Sequence, residues 1–428
     1  MSHARPLPLS ETPPLLPPGA RADRIARAAL WPVAVLLVFH RVFILAANGS
    51  ATDDFTTVYS AIRRFLTGVP VYNENYASVV PHYLYNPGAT VLLSPMGFSA
   101  DLDVSRAVFI MVNAAAVILG LAVLTRVVGH RLRSWVWPAA IAFAFLTESV
   151  TNTLVFANVN GILFLVFTGF LWLFLHGHRW WAGLALGLAI VVKPMFAPLL
   201  LLPLTRLDWR GLFGGVGVPV ATNLIAWPLV PGAGDYLTRV VPYLGETRDY
   251  ANASLAGLAV YFDMPAALEL GLWLLFGVCV AVAVVGLWFW RDRDPVFWAL
   301  STAGVLLTGV FLMSSLGQMY YSMMLFPMIM TALRKVSVFH AWPAWAAAFL
   351  FLFPGGWQWG EDPVLGNWLS VFAATAGWAT LLIVAAVCLA VWTGPLLREW
   401  LGNIRRSDRV GADESPDPDS PSTQRTVS

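Results

Sequence analysis

Charge is what this chain has least of. Asp, Glu, Lys and Arg make up 12% of its 428 residues, where a soluble domain carries about a quarter, and the deficit runs along the whole length. With 58% hydrophobic residues and a mean hydropathy of +0.68, a water-soluble globule is excluded and an integral membrane protein is left. Lysine is nearly missing: only Lys193 and Lys335 occur, so almost every cation is arginine. Cysteine is scarce too. Cys279 and Cys388 fall in apolar segments, which argues against a disulfide framework and leaves thiol catalysis without neighbours. No Walker-type phosphate loop and no Ser-His-Asp arrangement occurs. His176-x-His178 has no carboxylate or cysteine close by, so no metal and no other cofactor is expected. The net charge of +2 says little about partners; membrane lipids are expected and nucleic acid is not.

Long apolar runs are what the chain has most of. A spanning helix needs about 20 mostly apolar residues. Candidates lie near 28–47, 105–125, 135–148, 160–175, 211–230, 266–290, 296–313, 321–333, 342–353 and 370–392. A further stretch, 181–204, is interrupted by Lys193-Pro194, Pro198 and Pro203 and reads as a broken or re-entrant pair of half-helices. The expected fold is an all-α, polytopic bundle of about ten spans plus this broken helix, over residues 28–395. Residues 1–27 are expected to be a disordered cytoplasmic N-terminus. Residues 396–428 form a basic, then disordered, cytoplasmic tail.

Basic residues in short loops stay cytoplasmic. Arg21, Arg24, Arg27, Arg126, Arg131, Arg133, Arg179, Arg206, Arg210, Arg291, Arg293, Arg334, Lys335, Arg398, Arg405 and Arg406 all fall on one side of this arrangement. Loops 48–104, 149–159 and 231–265 then lie outside. The first carries an amphipathic interfacial helix over 54–66, with Phe55, Val58, Tyr59, Ile62, Phe65 and Leu66 on one face. A long structured loop is usually functional, so chemistry is expected on the extracytoplasmic face of the plasma membrane.

Four groups of side chains in this arrangement are candidates for that chemistry. Asp53 and Asp54 stand where the first span meets the interfacial helix, and a carboxylate held there suits a general base. The plain alternative is that Asp53 caps the helix while Asp54 meets its dipole. Lys193 is the sole charge between Trp180 and Leu204. An ionisable group at membrane depth costs roughly 2.5–3.5 kcal/mol and is a functional candidate by default, with snorkelling as the alternative. A cation there suits a phosphate. Glu148, Asn152, Asn158 and Asn160 either cap helices or bind sugar hydroxyls. In the outer loop Tyr236–Tyr261, Arg239 and Arg248 break the inside bias of the other arginines and suit phosphate recognition; an Arg248–Asp249 surface pair is the alternative. Gln318, Tyr320 and Tyr321 read as belt residues or as a sugar platform. Asp292-Arg-Asp294 mimics a metal-binding Asp-x-Asp but lies in an inner turn, and Asp101 sits where a helix cap belongs.

These features together resemble the C-type glycosyltransferases that use polyprenyl-phosphate sugars. The local strings resemble, within them, the mycobacterial α-(1→3)-arabinofuranosyltransferases. Those strings are Thr52-Asp-Asp-Phe55 with Val58-Tyr59, Pro81-His-Tyr-Leu-Tyr85, Thr147 to Phe156, Asn158-Val-Asn-Gly161, Lys193-Pro194, Thr247-Arg-Asp-Tyr250 with Asn252, and Tyr320 to Pro327. The resemblance implies a decaprenyl-phospho-arabinofuranose donor, an arabinan acceptor in arabinogalactan or lipoarabinomannan, and inversion to an α-1,3 product. It implies Asp54 or Asp53 as base and Lys193, Arg239 and Arg248 on the donor phosphate. It further implies sugar or acceptor contacts from His82, Tyr85, Glu148, Asn152, Asn158, Asn160, Tyr243, Asp249, Asn252, Gln318, Tyr320 and Tyr321. The rivals are a polyprenyl-phosphate-mannose-dependent mannosyltransferase and a lipid or sugar transporter. A transporter predicts symmetry between 28–210 and 211–395, and no repeat is found there.

Overall fold

A computed structural model describes residues 20–78, 81–353 and 363–413; the proline-rich start and the acidic end lie outside these. Among the described residues every regular element is a helix. The first, α1 (Ala20–Phe39), runs on through a π turn, His40–Ala46. Next comes α2 (Asp53–Leu66), which buries Phe55, Tyr59, Ala61 and Ile62 along one side. After the short α3 (Pro87–Leu93), α4 (Leu102–Val127) starts where expected, because Asp101 accepts from the amides of Asp103 (2.9 Å) and Val104 (3.1 Å).

The expected span at 135–148 and loop at 149–159 fold differently. They form α5 (Val136–Leu146) and α6 (Glu148–Val155), bent by 66° at Thr147. Two bonds account for it: Thr147 caps α6 by accepting from Val150 N (3.4 Å), and Arg41 Nε, from the first helix, supplies a donor to the freed Phe145 carbonyl (3.1 Å). The chain continues through α7 (Asn160–Leu175) and α8 (Arg179–Val192). A 3-10 stretch, Pro194–Leu200, leads to α9 (Leu201–Thr205) and α10 (Trp209–Ala226). The loop after α10 holds a π turn, Tyr236–Val240, and the short α11 (Val241–Tyr243) and α12 (Leu255–Tyr261). Then follow α13 (Ala266–Trp288), α14 (Pro295–Met313), a 3-10 segment Met319–Leu325, α15 (Phe326–Met330), α16 (Trp342–Leu352) and α17 (Pro363–Asp413). The backbone of α17 stays helical to Asp413, where the sequence expects a disordered tail from Gly411 on.

Among the described residues, five helices are long and apolar enough to cross a membrane: Arg21–Ala46, α4, α13, α14 and Val364–Pro395 of α17. Counting the bent α5–α6 pair as one span makes six. This is a multi-pass membrane protein. The other stretches counted as spans fold as shorter helices, among them α7 with 16 residues and α16 with 11. At 1.5 Å per residue, 11 residues reach roughly half of a 30 Å core.

Two packing features place the site. Gly183 of α8 and Gly214 of α10 meet so closely that a Cβ on Gly214 would lie 2.8 Å from Gly183 Cα. Small residues at such a crossing let two backbones touch, which fixes the axis of α8. The arginine-rich turns lock to one another. Arg27 donates to Arg133 O (2.6 Å), Arg206 pairs with Asp292 (2.7 Å), and Arg334 pairs with Asp294 (2.9 Å), which also caps α14. Both carboxylates of the Asp-x-Asp string are spent on these ion pairs.

Candidate active site

The junction after α1 holds Asp53 and Asp54 by its own bonds. Thr52 sits at the N-cap of α2 without a side-chain capping bond, and its hydroxyl donates instead to Phe156 O (3.2 Å) at the end of α6. The helix begins at Asp53 itself, so the expected cap by Asp53 does not form. Asp53 is exposed and Asp54 half-buried. The Asp54 carboxylate accepts a hydrogen bond from Tyr320 Oη at 3.0 Å, across 266 positions of sequence.

Lys193 stands at the expected break. Pro194 offers no N–H and disfavours a helical residue before it, so α8 stops at Val192 and Lys193 turns extended (φ −137°, ψ 107°). Its Nζ donates to Asn160 Oδ1 (2.7 Å) and lies 4.4 Å from the ring centre of Tyr321 and 5.8 Å from that of Tyr320. Ring faces attract an ammonium by their quadrupole. Asn160 is itself held: Asn158 Oδ1 accepts from its backbone amide (3.1 Å), in a turn entered through Ala157 at φ +47°. That left-handed value carries a cost of order 1 kcal/mol for a residue with a Cβ. Snorkelling does not describe this lysine, whose ammonium faces Asn160 and two rings.

Asp53, Asp54, Lys193, Tyr320 and Tyr321 line one cavity of about 400 Å³, and the charges of Asp54 and Lys193 are near enough to interact. His82, Tyr85, Asn158, Tyr243, Arg248 and Gln318 line it too. With its amide turned so that the nitrogen faces Ala251 O, Gln318 donates to that carbonyl (3.2 Å) and accepts from Arg248 Nη2 (2.8 Å). Arg248 also lies 5.1 Å from the Tyr250 ring, so its partners are Gln318 and Tyr250 instead of Asp249. His82 Nδ1 faces Glu74 (3.3 Å), and its ring packs on Tyr76 and Tyr243. Burial pushes the hydroxyls of Tyr85 and Tyr243 up from their usual range, so both are protonated donors at neutral pH.

Other expected residues stand elsewhere. Arg239 is half-exposed on its π turn, 3.6 Å from Asp235, and does not reach the cavity. Glu148 and Asn152 lie on α6, drawn out of the cavity when the presumed loop became helix; Asp249 is exposed. Asn160 and Asn252 act one layer back. The Asn252 amide donates to Arg248 O (3.2 Å) and Ser315 O (2.8 Å) and accepts from Gly317 N (2.9 Å), joining the outer loop to the segment that carries Gln318. Sequence reasoning missed three residues. Glu246 and Asn86 line the cavity, and Glu74 ties Arg64 (2.5 Å) to His82. Asn86-Pro87 carried a signal, an N-cap residue followed by proline at the first helical position.

Residues 83–315 match the model of glycosyltransferase family 87. An α-(1→3)-arabinofuranosyltransferase of Corynebacterium glutamicum is 52% identical over 411 residues, covering 96% of this chain and 97% of that protein. The enzyme of that name from Mycolicibacterium smegmatis is 44% identical over 84% of each chain. Its Mycobacterium tuberculosis counterpart is 44% identical over 85% of each. The chain belongs to glycosyltransferase family 87. It is a glycosyltransferase related along nearly its whole length to arabinofuranosyltransferases. The family 87 region includes Lys193 and Arg248 and starts after Asp54. Among the described residues of this family 87 enzyme, no three His, Cys, Asp or Glu side chains group as metal ligands.

Proposed function

We propose that this glycosyltransferase moves arabinofuranose from decaprenyl-phospho-arabinose to the 3-hydroxyl of cell-wall arabinan. The acceptor is arabinan of arabinogalactan or lipoarabinomannan, and the product is an α-1,3 branch point, made on the extracytoplasmic face of the plasma membrane. The observation that carries the reading is one cavity in which Asp54 and Lys193 meet across Tyr320 and Tyr321.

In this mechanism the Asp54 carboxylate takes the proton of the acceptor hydroxyl as that oxygen attacks the anomeric carbon. The bond to the lipid phosphate breaks on the opposite side, so the centre inverts from β to α. Charge grows on the departing phosphate, where Lys193 and Arg248 are already in place, and prepositioned cations favour the transition state over the ground state. Tyr320 donates to Asp54 and keeps that carboxylate aimed. Asp53, exposed at the same helix start, takes a secondary part. Tyr85, Tyr243, His82, Asn158 and Gln318 supply the aromatic and hydrogen-bonding walls that a furanose and its acceptor need.

The test is a membrane assay with synthetic arabinan, polyprenyl-phospho-arabinose and linkage analysis of the product. A new α-1,3 branch is expected. A 1→5 or 1→2 linkage overturns the branching assignment, and no transfer from the lipid donor overturns the reaction.

A further inference from the structure

Helix α8 ends beside the cavity, and a helix end is negative. Its last carbonyls have no intrahelical partner, and Pro194 cannot supply one. An anion placed next to Lys193 therefore also feels the negative end of this helix. One side chain answers this. Asn86 Nδ2 donates to Val191 O at 2.6 Å, while its Oδ1 accepts from Ala89 N at 2.9 Å and so caps α3. Asn86 lines the cavity, and Thr90 bonds back to its carbonyl (3.1 Å). The two halves of one carboxamide thus fasten the segment bearing His82 and Tyr85 to the end of the helix bearing Lys193.

We infer that Asn86 is a positioning residue for the donor phosphate. It neutralises the Val191 carbonyl and sets the turn from which Lys193 projects, so that the cavity beside the ammonium accepts an anion. The inference rests on the proposed polyprenyl-phosphate donor and adds a residue to it. Asn86 touches no reacting atom. Its effect belongs to the donor and not to the acceptor.

The variants separate the two halves of the amide. Asn86→Ser keeps a capping oxygen and loses the donor to Val191. Asn86→Asp keeps the cap and sets a carboxylate against that carbonyl. The full-length protein in detergent is titrated with farnesyl phosphate, and donor KM, acceptor KM and melting temperature are measured alongside. Loss of one hydrogen bond to a helix-end carbonyl weakens farnesyl phosphate binding about tenfold in Asn86→Ser, and the loss is larger in Asn86→Asp. Donor KM rises in step, acceptor KM stays within twofold of about its parent value, and the melting temperature of Asn86→Ser stays near the parent's. Should Asn86→Ser fail to insert, the aspartate, with the stronger cap, carries the same comparison. Parent-like farnesyl phosphate binding in both variants overturns the inference, as does an equal rise in both KM values. A parent protein that does not bind farnesyl phosphate overturns the donor assignment and this inference with it.

Discussion

At the scale of single residues, Asp54 and Lys193 differ in what they do for the reaction, and substitution separates them. Asp54→Asn keeps the hydrogen bond from Tyr320 and removes the proton acceptor. Its kcat is expected to fall about 10²–10⁴-fold with melting temperature unchanged, as read from initial rates of arabinose transfer; Asp53→Asn loses far less. Lys193→Met removes a cation from the leaving group and leaves Tyr321 facing an apolar chain. Donor affinity is expected to fall more than tenfold, about the worth of one charge-assisted bond, in the same lipid-phosphate titration. Tyr243→Phe tests the outer wall. Because burial pushes that hydroxyl's pKa above its ordinary value, the variant's deficit is expected to be equal at pH 7 and pH 9. A deficit confined to one pH would show that the phenol ionises and is not the fixed donor described here. The acidic pair and the lysine were legible in the sequence because charge is so rare in the chain that each carboxylate or ammonium stands out. Asn160 and Asn252 were legible only as polar residues near the site. Which partner an amide chooses depends on segments tens of residues away.

At the scale of elements, the break at Lys193-Pro194 was readable because proline forbids the next helical bond, a rule that needs no tertiary context. The bend at Thr147 was not. Here the carbonyl left free before the Thr147 cap is satisfied by Arg41, and Arg41 belongs to the first helix. Glu148 and Asn152 were misplaced for the same reason. Pro194→Ala is expected to let α8 continue through Lys193, carrying the ammonium away from Asn160. Donor KM rises while thermal stability holds or improves, measured by KM and melting temperature together. Gly214→Val acts in the opposite way. With 2.8 Å between its Cβ position and Gly183, it forces α8 and α10 apart at a cost of about 1–3 kcal/mol, visible as a lowered melting temperature.

At the scale of the whole molecule, the loops that the sequence groups on one face by their arginines are joined to one another by ion pairs and a hydrogen bond. The number of crossings was less legible, since apolar runs such as 160–175 and 342–353 look like spans by composition and fold into helices of 16 and 11 residues. Single cysteines distinguish the two faces. Gly245→Cys, at the exposed rim of the cavity loop, is expected to react with a membrane-impermeant maleimide in intact cells, and Arg293→Cys, in the turn before α14, only after permeabilisation. Labelling of Arg293→Cys but not of Gly245→Cys in intact cells would reverse the assignment of the active face.

The bond between Asp54 and Tyr320 joins the beginning of the protein to its last third. During synthesis, a nascent chain has the carboxylate long before the phenol that aims it, and it acquires Lys193 in between. Competence therefore arrives late and all at once, after most of the polypeptide has entered the bilayer. Unfinished or truncated copies hold fragments of the machinery but no assembled centre.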